Sequence, residues 1–269
     1  MLRLELQIHD SIPIEAAAMV PDRLVGKTVA EIARLPLFHG NRPILLADAF
    51  QISGDASDGI VEISGDCTRI KNLGKEMKAG QLTVHGNAGM HLGADMTGGR
   101  IDVHGCVGDW LGAEMHDGHI HIHGSAGNLA GAAYRAEPIG MRGGVILIDG
   151  DAGDEIGANM RRGLIAVGGR CGDMPGISMI AGSIFAFGGI GARPGAGMKR
   201  GSIVVLNGPV ELPPTFRGNG DCDPVFLHLY IRQLRSWGFT TGKMSKLFRR
   251  FSGDLLTLGK GEILVALPD

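Results

Sequence analysis

Three histidines occupy the same position of a sequence repeat and are the residues best spaced for metal chemistry. His85, His104 and His123 follow one another at intervals of 19 residues, with His119 and His121 nearby. Imidazole is the commonest protein metal ligand. On successive strands the three rings would form a straight ladder with a spacing of about 5 Å. Zinc needs ligand atoms that converge to about 2.0–2.1 Å from the ion, which a straight ladder does not supply. We therefore predict no metal site and interpret the three histidines as a surface ladder or a partner contact. Metal binding by this ladder is the alternative.

Other residue types give no pattern that indicates catalysis. The four cysteines (Cys67, Cys106, Cys171 and Cys222) are 39, 65 and 51 residues apart, which suits neither a zinc site nor a disulfide framework. Neither a GxSxG nor an HExxH motif occurs. The glycine-rich turns lead into further strands rather than into a helix, so they do not match a dinucleotide-binding loop. We predict no catalytic residue and no cofactor-binding residue in this chain.

The elements that would position these residues come from a glycine-punctuated repeat. Units begin at Gly80, Gly99, Gly118, Gly144 and onward to Gly201, 19 residues apart except for 26 between Gly118 and Gly144. A looser unit begins at Gly59 and makes eight in all. Within each unit glycine recurs at three further columns, which include Gly86, Gly89, Gly93, Gly105, Gly108, Gly112, Gly150, Gly153 and Gly157.

Apolar residues alternate after the first glycine of each unit, as in Ile101 and Val103 or Ile120 and Ile122. Such period-two alternation of β-branched residues predicts a short strand with one buried face. A helical repeat is excluded, because each interior glycine would cost about 1 kcal/mol relative to alanine. A period of this length indicates a solenoid. We predict an all-β fold: a right-handed parallel β-helix of about eight coils, with a small N-terminal cap and a C-terminal helix. Glycines at the corners would supply positive φ and leave no Cβ to clash with the coil above.

The repeat also suggests domain limits. Residues 1–57 precede it and form the predicted cap segment, residues 58–210 form the repeats, and residues 211–269 form a C-terminal extension. Within the extension, residues 224–237 are predicted to be an amphipathic helix that begins after Asp223 at Pro224.

Two regions are predicted partner contacts. The outward strand positions turn from polar in early units to apolar in late ones, where Phe185 and Phe187 lie, and such a face must be covered. We expect the C-terminal helix or a partner chain to cover it. The second region is the seven-residue insertion 134–140, which includes Tyr134 and Arg135, because insertions in solenoids often mark a binding face.

Composition excludes several classes of function. The formal net charge is −2, so no strong field attracts nucleic acid or acidic membranes. No apolar run approaches the ~20 residues of a membrane helix, and the alternating N-terminus does not match a signal peptide. We expect a cytoplasmic protein with reduced thiols.

Four segments carry a resemblance to a known family. They are GKTVAEIARLPLFHGNRPILLADAFQISGD, YRAEPIGMRGGVILIDGDAGDEIGANMRRG, LPPTFRGNGDCDPVFLHLYIRQLRSWGF and RRFSGDLLTLGKGEILV. The repeat alone resembles the C-terminal β-helix domain of the glutamate synthase large subunit. Together with the last two segments, it resembles more closely the C subunits of formylmethanofuran dehydrogenase and of the formyltransferase/hydrolase complex.

The resemblance implies a component of a one-carbon enzyme complex. In methanogens that complex makes formylmethanofuran from carbon dioxide. In methylotrophic bacteria it moves a formyl group from tetrahydromethanopterin to a methanofuran analogue and releases formate. Catalysis is attributed there to amidohydrolase-like, formyltransferase and molybdopterin-enzyme-like subunits. The resemblance thus implies a non-catalytic scaffold that itself binds neither the methanofuran-type nor the tetrahydromethanopterin-type carrier. The charged fraction of 20% and the unclustered cysteines favour the formyltransferase/hydrolase complex, with formylmethanofuran dehydrogenase as the second candidate. The alternative is a β-helix with its own small-molecule or catalytic site.

Overall fold

The computed structural model describes residues 1–242 and 244–268, so Lys243 and Asp269 of the predicted C-terminal extension lie outside the described residues. The described residues form seventeen strands and four short helices. The strands are β1 (Leu2–Leu6), β2 (Ile14–Glu15), β3 (Pro36–His39), β4 (Arg42–Leu45), β5 (Phe50–Gly54), β6 (Ile60–Ser64), β7 (Ile70–Lys71), β8 (Gln81–Val84), β9 (Thr97–Val103), β10 (Asp117–Ile122), β11 (Val145–Ile148), β12 (Leu164–Val167), β13 (Ser183–Ala186), β14 (Arg200–Val205), β15 (Arg217–Cys222), β16 (Phe248–Gly253) and β17 (Lys260–Ala266). The helices are α1 (Pro21–Leu24), α2 (Val29–Ala33), α3 (Leu46–Ala49) and α4 (Leu227–Ser236).

A 13-stranded mixed sheet dominates the molecule, in the order β15-β16-β17-β14-β13-β12-β11-β10-β9-β8-β6-β1-β5. The strands from β6 and β8 through β14 pair in parallel, each with the strand of the next repeat. Corresponding residues of the repeats are direct neighbours: Ile101 lies beside Ile120, and Ile120 beside Ile146. The all-β prediction is therefore confirmed in its coarse form.

The first six repeats also form a second line of strand-like contacts, beside one continuous core. Isolated parallel bridges join Cys67, Ala88, Val107, Ala126, Ala152 and Cys171 in sequence. The methionine of each unit is fully buried, as in Met96, Met115 and Met160. Because a flexible thioether fills irregular space well, a methionine column suits an interior whose width varies slightly between repeats.

The glycines of the repeat serve two different physical purposes. Gly99, at the start of its unit, has φ +83°, a conformation that side chains with a Cβ rarely adopt. Gly105 has no positive φ, but a Cβ there would lie 2.7 Å from the backbone carbonyl carbon of Gly86 in the preceding repeat. Positive φ, the first role predicted for the corner glycines, holds for Gly99, whereas Gly105 serves the second predicted role, because the stacked backbone leaves no room for a Cβ.

Both ends of the main sheet finish in antiparallel strands. At one end β1 pairs in parallel with β6, and β5 pairs with β1 in the antiparallel sense. At the other end β17 continues the parallel stack from β14, and β16 and β15 turn back beside it. A small sheet of β4, β3, β2 and β7 joins the N-terminal residues to the repeats through the parallel pair β2–β7. The predicted cap segment 1–57 therefore contributes strands to both sheets.

The helix predicted over residues 224–237 is shorter, because α4 runs from Leu227 to Ser236. Pro224 and Val225 accept only single-turn i→i+3 bonds, from the amides of Leu227 and His228, and Asp223 provides no side-chain cap. No helix among residues 1–242 and 244–268 has the length and apolar character needed to cross a membrane.

Helix α4 covers the outer face of the late strands. Its buried residues Leu227, Ile231 and Leu234 share a cluster with Leu147, Leu164, Ala166, Phe185, Val204, Phe239, Phe248 and Leu264. Phe185 is only 1% exposed, and its ring centroid lies 5.2 Å from that of Tyr230. Of the two covers expected for this face, the structure shows the C-terminal helix of this chain, and it leaves Phe185 inaccessible to a partner.

Candidate functional site

The histidine ladder exists as a column of rings on the outer face of the sheet. Ring centroids are 5.0 Å apart between His85 and His104, and 5.4 Å apart between His104 and His123, with each pair edge to face. All three side chains are exposed. A straight column of this kind does not bring three imidazole nitrogens to one point.

A tighter cluster forms between two neighbouring columns of the outer face. One column contains Asp102 and His121, and the other contains His123. Asp102 lies in β9, His121 in β10, and His123 directly follows β10. These three residues place one potential ligand atom each within 4.8 Å of the others. His121 and Asp102 are direct neighbours in the strand register, and both are buried at 3% and 8% exposure. Three side chains of types that can bind a metal therefore lie close together at β9 and β10.

Asp149 completes this cluster from the next repeat. Its Oδ1 lies 3.1 Å from Nε2 of His121, and its Oδ2 lies 3.0 Å from Nδ1 of His123. The other ring nitrogen of His123, Nε2, lies 3.5 Å from Oδ1 of Asp102. His123 is therefore held between two carboxylates. We call Asp102, His121, His123 and Asp149 the His–Asp cluster.

Arg100 sets the charge of Asp102. Its Nε donates to Oδ2 of Asp102, which leaves Oδ1 facing His123. Burial disfavours the ionised carboxylate, but the hydrogen bond and charge of Arg100 outweigh it and lower the pKa of Asp102 below its ordinary value, with His121 and His123 adding to the effect. Asp102 is thus a carboxylate at neutral pH and can accept a hydrogen bond or bind a cation.

His119 lies beside the cluster but in a different environment. Its ring packs 5.5 Å from Trp237 at the end of α4, and neither ring nitrogen has a hydrogen-bond partner among the described residues. Burial lowers the pKa of His119 to about 4, with Arg100 and His121 adding repulsion. His119 is therefore neutral at physiological pH and marks the border between the apolar cover and the His–Asp cluster.

The insertion 134–140 builds an aromatic stack with two earlier repeats. The ring of Tyr134 lies 4.9 Å from that of Trp110, and its hydroxyl is 2.9 Å from Nδ1 of His91. Burial raises the pKa of Tyr134 to about 12, helped by Asp95 and Glu114. Tyr134 is half-buried whereas Arg135 is exposed. Of the two predicted contact residues in the insertion, Arg135 is thus the more accessible to another molecule.

Two exposed apolar patches lie in the C-terminal extension. Val225, Phe226 and Leu229 project from the start and outer side of α4 and form the helix patch; Val225 and Leu229 are 68% and 61% exposed. Leu255, Leu256 and Leu258, between β16 and β17, form the loop patch, and Leu256 is 82% exposed. The predicted contact residue Phe187 is partly covered, because its ring packs 5.3 Å from Phe239.

The histidine repeat does not single out Asp102 or Asp149, and it places His121 only beside the ladder. The amino-acid sequence nevertheless contains a pattern that indicates the cluster. With the gap of 26 residues between Gly118 and Gly144, Asp149 falls in the column of His123, and Asp102 falls in the column of His121. Neighbouring columns that carry complementary metal-ligand types, here histidine and aspartate, thus predict such a cluster better than one column of identical residues does.

Comparisons with known proteins give sequence matches over part of the chain and a match to a solved structure over nearly all of it. No protein-family model matches the chain. The C subunit of tungsten-containing formylmethanofuran dehydrogenase 2 from Methanothermobacter thermautotrophicus is 40% identical over 85 residues, which are 30% of this chain and 32% of that protein. The C subunit of molybdenum-containing formylmethanofuran dehydrogenase 1 from Methanosarcina barkeri is 38% identical over 85 residues, 30% of this chain and 28% of that protein. The chain thus spans about a third of the length of these curated relatives.

A solved structure matches throughout. A chain of the formyltransferase/hydrolase complex FhcABCD from Methylorubrum extorquens, crystallised with methylofuran, superposes with a TM-score of 0.88. It is 33% identical, and the match covers 99% of this chain and 100% of that one. This chain therefore belongs to the family that comprises the C subunit of formylmethanofuran dehydrogenase and its counterpart in the formyltransferase/hydrolase complex.

Proposed function

We propose that this chain is the non-catalytic scaffold subunit of a multi-subunit complex that transfers a one-carbon formyl group. The complex is either a formyltransferase/hydrolase, which passes formyl from a tetrahydromethanopterin-type to a methanofuran-type carrier and releases formate, or a formylmethanofuran dehydrogenase. The observation that carries this proposal is the likeness to a chain of FhcABCD over 99% of the sequence at a TM-score of 0.88.

The architecture supports a scaffold role. We propose that the stacked repeats form a right-handed parallel β-helix of about eight coils over residues 58–210, between the cap segment 1–57 and the extension 211–269. Repeats that stack through nearest-neighbour contacts form an extended surface. Such a surface suits the alignment of larger subunits. The proposed partners are amidohydrolase-like, formyltransferase and molybdopterin-enzyme-like subunits, which bind the two carriers.

The helix patch and the loop patch are the proposed partner contacts. Interface cores are rich in fully desolvated apolar side chains, and the loop patch exposes three leucines together. Leu256, at 82% exposure, makes little contact with its own fold. We propose the exposed Arg135 of the insertion as a polar contact.

Co-purification with a matched pair of variants tests the assignment. Leu256→Ser removes an exposed apolar side chain from the loop patch, whereas Val29→Ser removes one from α2 at the other end of the molecule, where Val29 is 41% exposed. Surface substitutions of this kind change folding stability by less than about 0.5 kcal/mol. We expect the tagged wild-type and Val29→Ser chains to capture formyltransferase-type and amidohydrolase-type subunits, identified by mass, and Leu256→Ser to capture less.

The scaffold proposal fails if the tagged wild-type chain, expressed in its own host, purifies alone. The alternative, a β-helix with its own small-molecule or catalytic site, predicts formyl transfer or hydrolysis by the isolated chain. The interface proposal alone fails if Leu256→Ser and Val29→Ser capture the same subunits equally well.

A further inference from the structure

We propose that the His–Asp cluster is a binding site for a divalent transition-metal ion, of which zinc is the best match. Asp102 Oδ1, a ring nitrogen of His121 and Nε2 of His123 are the protein ligands. This inference revises our expectation that the chain holds no metal, and it does not depend on the proposed scaffold role.

The strand register explains why the ligands converge here when the ladder does not. On one face of a parallel sheet, a side chain can approach its direct neighbour on the next strand and also the residue two positions along. Asp102 and His121 are direct neighbours across β9 and β10, and His123 lies two residues beyond His121. Because the ligands come from two columns, they form a triangle and not a line.

The distances fit a metal centre. Zinc bonds of about 2.0–2.1 Å in a tetrahedron place neighbouring ligand atoms about 3.4 Å apart. Nε2 of His123 is already 3.5 Å from Oδ1 of Asp102, and all three ligand atoms lie within 4.8 Å of one another. Small side-chain rotations close the remaining gap, and water completes the coordination because the side chain of His123 is 41% exposed.

The contacts around the ligands also resemble those of a metal centre. A histidine that binds a metal through one nitrogen usually donates its other N–H to a carboxylate. His123 has this arrangement, with Nε2 toward Asp102 and Nδ1 at 3.0 Å from Asp149. Asp149 also holds His121 at 3.1 Å, and Arg100 fixes the second oxygen of Asp102. Asp149 and Arg100 are therefore positioning residues, and the ion would tie together the repeats that contain β9 and β10.

A ligand set of one carboxylate oxygen and two imidazole nitrogens favours zinc over magnesium or calcium. Calcium takes six to eight oxygen ligands, and magnesium keeps several waters and avoids imidazole. Imidazole suits zinc, copper, iron and nickel. The burial of Asp102 and His121 shields two of the three ligands from solvent, which strengthens their electrostatic attraction for a cation.

Zinc titration of the full-length chain after chelator treatment tests the proposal. A chromophoric competitor reports the stoichiometry, and cobalt serves as a spectroscopic probe through its visible absorption. We expect one equivalent per chain and a higher melting temperature with zinc. His121→Ala and Asp102→Asn should abolish saturable binding, and Asp149→Asn should weaken it by about 10- to 100-fold.

His85→Ala is the matched control, because it removes an exposed imidazole of the ladder outside the cluster. It should bind zinc as the wild type does. If His121→Ala does not fold, as judged by circular dichroism, the exposed His123→Ala takes its place. Binding weaker than about 100 μM, binding unaffected by the cluster variants, or loss of binding in His85→Ala would each overturn the proposal. The first result would mean a hydrogen-bonded network only, and the last would assign the ion to the ladder.

Discussion

Removing the ring of Phe185 tests whether α4 is an integral cover of the late strands. Phe185 is 1% exposed and packs 5.2 Å from the ring of Tyr230. A buried Phe→Ala substitution costs about 3–5 kcal/mol, through lost transfer energy and the cavity left behind. For a chain of this size, that corresponds to a fall in melting temperature of roughly 6–20 °C.

Urea unfolding followed by tryptophan fluorescence measures this effect locally. The chain has two tryptophans, and a Trp110→Phe background leaves Trp237 at the end of α4 as the single reporter. Leu229→Ala is the matched control, because Leu229 lies on the same helix but is 61% exposed, and it should change the free energy of unfolding by less than about 0.5 kcal/mol. A loss below about 1 kcal/mol for Phe185→Ala, far under the expected range, or equal losses in both variants, would refute the packing of α4 on the sheet.

Three further predictions concern single residues. Gly105→Ala should lower the free energy of unfolding by about 1–3 kcal/mol, because its Cβ would overlap the backbone of the preceding repeat. Gly218→Ala, whose Cβ meets nothing closer than 3.7 Å, should be near neutral in the same urea titration. The pKa of His119 falls from 6.5 to about 4 on folding. Between these pH values the unfolded chain binds a proton that the folded chain does not, so the free energy of unfolding should decrease as the pH is lowered from 6.5 to 4. His119→Leu should flatten that part of the pH–stability curve, and an unchanged curve would contradict the assignment. Iodoacetamide with peptide mapping should label the exposed Cys106 in the native chain but Cys171 only after unfolding, because burial raises the pKa of the Cys171 thiol to about 12.

The regular part of the structure follows directly from the sequence because its signals are local and repeated. The alternation of Ile101 and Val103 specifies a strand, and the interval of 19 residues sets which residues become neighbours. The sequence cannot separate the two roles of glycine, because Gly99 and Gly105 look alike until the backbone of the adjacent repeat is in place.

The irregular parts were less predictable, because their conformations depend on tertiary contacts. Asp223 and Pro224 are typical of a helix start, yet α4 begins at Leu227, the first of its residues to pack against the sheet. The His–Asp cluster depends on contacts between residues 26 positions apart, such as His123 and Asp149, which the insertion displaces from the regular interval.

The activity of the purified chain compared with that of the intact complex tests the central claim most directly. A formyl-tetrahydromethanopterin-type donor and a methanofuran analogue are supplied to each, and the release of formate is measured. We predict no formyl transfer and no formate from the chain alone, with activity only in the complex that contains it. Formate release that follows the isolated chain through gel filtration would contradict the scaffold assignment.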